Sequence, residues 1–199
     1  MKRNLIRFFL FTFLASGCAG IPQTHYYVLH LNTHSPNPVS SAINIGIAPF
    51  TIESIFSNYK IAYRESPYEV QFYNYHQWAS EPSKLVENGL FDYLTHSNQF
   101  NKVVRLPSIQ TIDLVIDGHI HKIEEWDETD RWYGFMEIEF QVSKYNKKQI
   151  IWKGTISRRI PAESKKPLEV VKALSIAAQE IAEELSQKIL AAYHLAEKN

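Results

Sequence analysis

The chain has 199 residues, 45% of them hydrophobic and 21% charged, which is enough to build one buried core and excludes disorder throughout. Its 21 basic and 21 acidic residues balance, so no excess of positive charge supports a nucleic-acid partner. A single cysteine excludes a disulfide framework.

The first segment is Met1-Lys2-Arg3-Asn4-Leu5-Ile6-Arg7, followed by residues 8–14, apolar except for Thr12, and the small residues Ala15-Ser16-Gly17. A basic start, a short apolar stretch and a small-residue cleavage site make an export signal over residues 1–17. The apolar stretch falls well short of the ~20 residues that a membrane-spanning helix needs. The residue after Gly17 is Cys18, the only cysteine. That pattern resembles the lipobox of bacterial lipoproteins, with Leu14 one place before the position where Leu is most common. The resemblance implies a diacylglyceryl group on the Cys18 thiol, cleavage just before it, and acylation of the new amino terminus. An export signal with an incidental Cys is the alternative. Ala19 follows, not the Asp that retains such proteins at the inner membrane, which implies the periplasmic face of the outer membrane. Cleavage removes Lys2, Arg3 and Arg7 and no acidic residue, leaving a mildly acidic mature chain.

Residues 18–25 are expected to form the lipidated amino terminus and tether, residues 26–193 one periplasmic α/β domain, and residues 194–199 a tail. Within the domain, residues 26–29 (Tyr-Tyr-Val-Leu) form a short apolar run, and residues 32–42 are polar and turn-forming. Strict alternation over residues 43–48 predicts a strand. Residues 59–64 and 68–73 alternate around Ser66-Pro67, which predicts a hairpin. A helix is predicted from Ser80-Glu81-Pro82, with Ser80 as the cap and Leu85, Val86, Leu90, Tyr93 and Leu94 on one face. Gly89 is expected to allow that helix to pack closely on a sheet.

A short strand over residues 102–105 follows, then one over residues 112–123 with Leu114, Ile116 and Ile120 facing the core. Residues 136–143 alternate most clearly, and Asn146-Lys147-Lys148 turns them into residues 150–156, an antiparallel meander with one wet face. A long helix over residues 167–193 opens at Pro167 and repeats Val170, Leu174, Ala178, Ile181, Leu185 and Ile189. The predicted fold class is α/β: a two-layer sandwich, a mostly antiparallel or mixed sheet covered on one face by two helices.

Chemistry is sparse. Alternation places Asp117, His119 and His121 on one strand face, and two imidazoles two residues apart is a spacing that zinc sites use. A third ligand or outer partner would have to come from neighbours such as Glu124 and Glu125. The other reading of this group is a solvated sheet face, so His119 and His121 are weak metal candidates and no catalytic residue is assigned. The sequence has no Gly-rich phosphate loop, Gly-x-Ser-x-Gly elbow or His-Glu-x-x-His helix, and no cofactor is expected. Aromatics gather at Tyr59, Tyr63, Tyr68, Phe72, Tyr73, Tyr75 and Trp78, and again at Trp126, Trp132, Tyr133 and Phe135. Sheet packing accounts for most of them; a protein-binding surface is the alternative. Ile55 and Phe56 lie in a loop context with no obvious core, which makes them the candidate partner contact.

The order of these segments carries a further reading. A lipobox is followed by Tyr26-Tyr27-Val28-Leu29, by residues 43–50, and by a strand ending Ala62-Tyr63-Arg64. Then come Tyr75-His76-Gln77-Trp78-Ala79 leading into the Pro82 helix, Phe100-Asn101-Lys102-Val103-Val104, residues 113–118, and Ala173-Leu174-Ser175 in the closing helix. This resembles the ABC-type transport auxiliary lipoproteins, the PqiC-like partners of MCE lipid-transport systems. The resemblance implies a non-catalytic outer-membrane lipoprotein that docks on an MCE-domain protein, in one or several copies arranged as a homo-oligomeric ring, and helps move lipids or other hydrophobic molecules. Two other readings stay open: a lipoprotein of a different envelope assembly or secretion machine, and a periplasmic zinc-dependent hydrolase using His119 and His121.

Overall fold

The structure, a computed structural model, describes residues 22–32, 41–147 and 149–197. The export signal, Cys18 and most of the polar stretch at residues 32–42 lie outside these. Among the described residues, nine strands form one mixed sheet.

The organising element is β7 (Leu114–Asp127), whose 14 residues are long enough to serve several partners in succession. Along one edge it pairs antiparallel with β8 (Trp132–Lys144), from Leu114 opposite Lys144 to Asp127 opposite Trp132. Its other edge is shared by three parallel strands laid end to end. These are β2 (Asn44–Ile47) beside Leu114 to Ile116, β3 (Thr51–Ile52) beside His119 and Ile120, and β4 (Lys60–Ser66) beside Glu124 to Trp126. The sheet extends outward on both sides. β5 (Glu69–Trp78) closes the predicted hairpin with β4, and β1 (His25–Tyr27) adds to β5 in parallel. β6 (Lys102–Arg105) runs parallel to β2, and β9 (Ile150–Pro161) completes the meander after β8.

A register shift between Ile120 and Lys122 interrupts the alternation of β7. Before it, Leu114, Ile116 and Ile120 face the core as expected; after it, Ile123 does, fully buried opposite Met136. One extra residue in a strand exchanges the two faces beyond it. Glu125 therefore points to the core side, whereas Glu124 points to the open side.

Two helices cover that core side. In α2 (Pro167–Ala196) the predicted stripe of Val170, Leu174, Ala178, Ile181, Leu185 and Ile189 is buried against β8 and β9. Each large apolar side chain in it contributes about 1.5–3 kcal/mol on leaving water. The helix runs to Ala196, so His194 and its neighbours belong to it and not to a separate tail. α2 also lies close to the sheet, since a Cβ on Gly134 would sit 2.6 Å from the Leu174 backbone nitrogen. Arg158 of β9 clasps the helix from the side, reaching Glu180 at 3.0 Å and Glu184 at 2.7 Å.

The shorter α1 (Pro82–His96) buries Val86, Leu90, Tyr93 and Leu94 as predicted. Its start differs: Glu81, not Ser80, occupies the cap, and no side chain bonds the first turn. Pro82 in the first turn lacks an N–H that would need a partner, so the helix begins without a polar cap. It stops at Asn98, whose φ of 54° is left-handed, a conformation that asparagine tolerates. Gly89 faces Leu31 rather than the sheet; a Cβ there would lie 2.9 Å from a Leu31 methyl carbon. The segment after β1 thus wedges against α1, and its His30 amide donates to Ser175 Oγ on α2 at 3.2 Å.

Candidate functional site

The residues with chemical potential collect on the open face of the sheet. β3 ends at Ile52, and Glu53 leads into a single 3₁₀ turn, Ser54–Phe56, before β4. Because β3 lies beside His119 and Ile120, the turn sits directly against the strand that bears both candidate histidines. His119 Nε2 is 3.2 Å from Glu53 Oε1, and His121 Nδ1 is 3.5 Å from the same oxygen. The two imidazoles meet edge to face with centroids 4.8 Å apart. Thr51 Oγ1 is hydrogen-bonded to His119 Nδ1 at 2.7 Å. Bonds from His119 and His121 hold the Glu53 carboxyl below the usual carboxylate range.

Sequence spacing brought the two histidines together and missed Glu53 and Thr51. It also offered Glu124 and Glu125 as neighbours, and both are engaged elsewhere. Glu124 is buried on the open side and takes Arg64 of β4, at 2.9 Å from Nε and 2.7 Å from an Nη. Glu125 is buried on the core side, where Tyr73 Oη donates to it at 2.7 Å. Burial pushes the Glu125 carboxyl up to about 8, with the charge of Asp127 adding to the effect. Asp127 is itself raised by burial.

Ile55 and Phe56, paired in the sequence reading, part company. Ile55 is 45% exposed at the apex of the turn. Phe56 is 5% exposed and belongs to the core, so it is an anchor for the turn and not a contact residue. The aromatics divide similarly. Trp78 is fully buried, and Phe72 and Tyr73 pack on the core, as sheet packing requires. Tyr59, Tyr68 and Tyr75 are exposed. On the open face, Arg159 lies over the rings of Tyr133 and Trp126, at 4.2 and 5.4 Å from their centroids. A concavity of about 560 Å³ between the β8–β9 turn and the end of α2 has Ile150, Trp152 and Ala192 in its wall and Lys144 and Lys188 at its rim. Glu197 and Glu184 lie against those lysines, which weakens any draw on an anion.

The expected lipid site, Cys18, lies outside the described residues. The described residues begin at residue 22, and β1 sits at an edge of the sheet. His25, the last residue of the stretch 18–25 expected as the tether, belongs to β1.

A family model described as "ABC-type transport auxiliary lipoprotein component" matches residues 27–186. No curated sequence matches the chain. Among solved structures, protein XCC0632 from Xanthomonas campestris has a TM-score of 0.78 at 17% identity, covering 88% of this chain and 100% of that one. An uncharacterized protein has a TM-score of 0.69 at 14% identity, covering 84% and 99%. The hypothetical protein CT253 from Chlamydia trachomatis gives 0.50 at 8% identity, covering 75% and 96%. At such identities the likeness is one of fold.

Proposed function

The chain belongs to the ABC-type transport auxiliary lipoprotein components, and from that membership we propose a non-catalytic subunit anchored in the outer membrane. It faces the periplasm, docks on an MCE-domain protein and serves the passage of lipids or other hydrophobic molecules. The observation that carries the reading is the coincidence of two features: a family match over residues 27–186 and Cys18 directly after an export signal.

The mechanism is tethering. One acyl chain holds a protein to a bilayer only marginally, whereas several chains on one residue make attachment durable, at about 0.8 kcal/mol per buried methylene. Residues 19–24 span at most about 20 Å when extended, so the domain stays near the membrane that holds it. Confinement raises the effective concentration of domain and partner, and an interface too weak in free solution becomes persistent. Exposed Ile55, on a turn anchored by buried Phe56, is the proposed first contact.

Replacing the anchor tests this reading. Cys18→Ala should leave the fold intact by circular dichroism, move the protein from membranes to the soluble periplasmic fraction, and abolish function in cells. Full complementation by the released protein would contradict it.

A further inference from the structure

We propose that Glu53, His119 and His121 form a binding site for a divalent transition metal of the zinc class. One donor atom from each of the three side chains lies within 4.8 Å of the others. Only the fold assembles them, since Glu53 is 66 residues before His119. Around a tetrahedral zinc with bonds of about 2.0–2.1 Å, neighbouring ligands stand about 3.3 Å apart. The observed 3.2 and 3.5 Å from Glu53 Oε1 to the two imidazoles match that edge.

The strand is deformed where the site needs it. In a regular strand, residues two apart share a face and are separated by about 6.6–6.8 Å, so their rings must lean together to share an ion. His121 falls at the register shift between Ile120 and Lys122, and the ring centroids close to 4.8 Å. Bulges re-aim side chains in this manner.

The outer partner is also present. A His119 ring whose Nδ1–H points to Thr51 Oγ1, 2.7 Å away, turns the Nε2 lone pair towards the Glu53 carboxylate. The other tautomer donates Nε2–H to Glu53 directly; a metal ion would replace that hydrogen bond and engage both histidines and Glu53 together. A hydrogen-bond acceptor on the second nitrogen is the usual means of orienting a metal-binding imidazole, and the Thr51 hydroxyl is placed to serve as one. Two imidazoles and a carboxylate favour zinc and its neighbours over magnesium or calcium. The side chains are 49%, 35% and 33% exposed for Glu53, His119 and His121, which leaves a coordination position open to water or to a donor from a partner. Bound metal would tie the turn carrying Ile55 to β7. The site does not depend on the transport reading.

The test uses the full-length protein in detergent, stripped with a chelator and titrated with Zn²⁺ against a chromophoric competitor, with Co²⁺ as the spectroscopic probe. One equivalent should bind with micromolar or tighter affinity, and Co²⁺ should show the visible absorption of a tetrahedral site. Glu53→Gln, His119→Ala and His121→Ala should each abolish the Co²⁺ spectrum, and Thr51→Val should weaken Zn²⁺ binding by about 10-fold. Bound zinc should slow amide exchange over residues 51–58. Absence of micromolar binding would overturn the proposal. So would binding that survives the substitutions, as at the stacked His25 and His76, whose centroids are 5.2 Å apart. Thr51→Val and Glu53→Gln alter side chains outside the core and keep the test decisive if a histidine variant fails to fold.

Discussion

Arg64 on β4 places two nitrogens on one oxygen of the buried Glu124 on β7, at 2.9 and 2.7 Å, while the other carboxylate oxygen has no hydrogen-bond partner. Burial raises the Glu124 carboxyl pKa against the opposing pull of the Arg64 guanidinium. The pair locks the parallel contact between β4 and β7. Removing one member leaves a buried charge without its partner, which costs about 3–5 kcal/mol. Arg64→Met should lower stability by that amount in urea denaturation, and Arg64→Met with Glu124→Leu should recover much of it. A single variant as stable as the parent would contradict the assignment.

Glu125 predicts a pH dependence. Its carboxyl rises from an ordinary 4.5 to about 8 in the folded protein, chiefly through burial. Between these values the folded state keeps a proton that the unfolded state has lost, so stability falls as pH rises through that window and levels off above it. Glu125→Gln keeps an acceptor for the Tyr73 hydroxyl and should flatten the slope, leaving the variant relatively more stable at the alkaline end. Parallel stability profiles for the two proteins would contradict this.

Gly134 is where sheet and helix meet most closely. A methyl there would stand 2.6 Å from the Leu174 nitrogen and 3.0 Å from the Ala173 carbonyl carbon, both backbone atoms that cannot swing aside. Gly134→Ala should cost about 1–3 kcal/mol, read as a drop in Tm of about 2–4 °C for each kcal/mol. An unchanged Tm would show that α2 can shift at no cost.

The turn after β3 sets an exposed side chain, Ile55, beside a buried one, Phe56. Ile55→Asp should change stability by less than about 0.5 kcal/mol and weaken capture of the partner. Phe56→Ala should destabilise the domain by about 3–5 kcal/mol, since the ring is buried. The two are distinguished by measuring unfolding and partner capture on each variant; equal stability losses would contradict the division.

Elements whose partners are local were legible in the sequence. The meander of β8 and β9 follows from alternation, and the stripe on α2 follows from its spacing of apolar residues. What escaped was settled by distant pairing. β3 has two residues and no local signature, yet its parallel position beside His119 carries Glu53 and Thr51 to the histidines. The bulge at Ile120 and Lys122 gives no compositional sign, and it decides that Glu125 and not Glu124 faces the core. Phe56 looked like a loop residue because the core beneath it is assembled from strands far along the chain. Ser80 looked like a cap, but Pro82 places the helix start one residue after Glu81.

The central claim is that this lipoprotein works by holding a transport assembly at the outer membrane. The most direct measurement is capture of the full-length protein, tagged at its carboxyl terminus, from gently solubilised native envelopes, followed by identification of what accompanies it. The account predicts an MCE-domain protein, recovered with the wild type and reduced with Ile55→Asp. Recovery of a different envelope machine, with no MCE-domain protein under mild conditions, would contradict it.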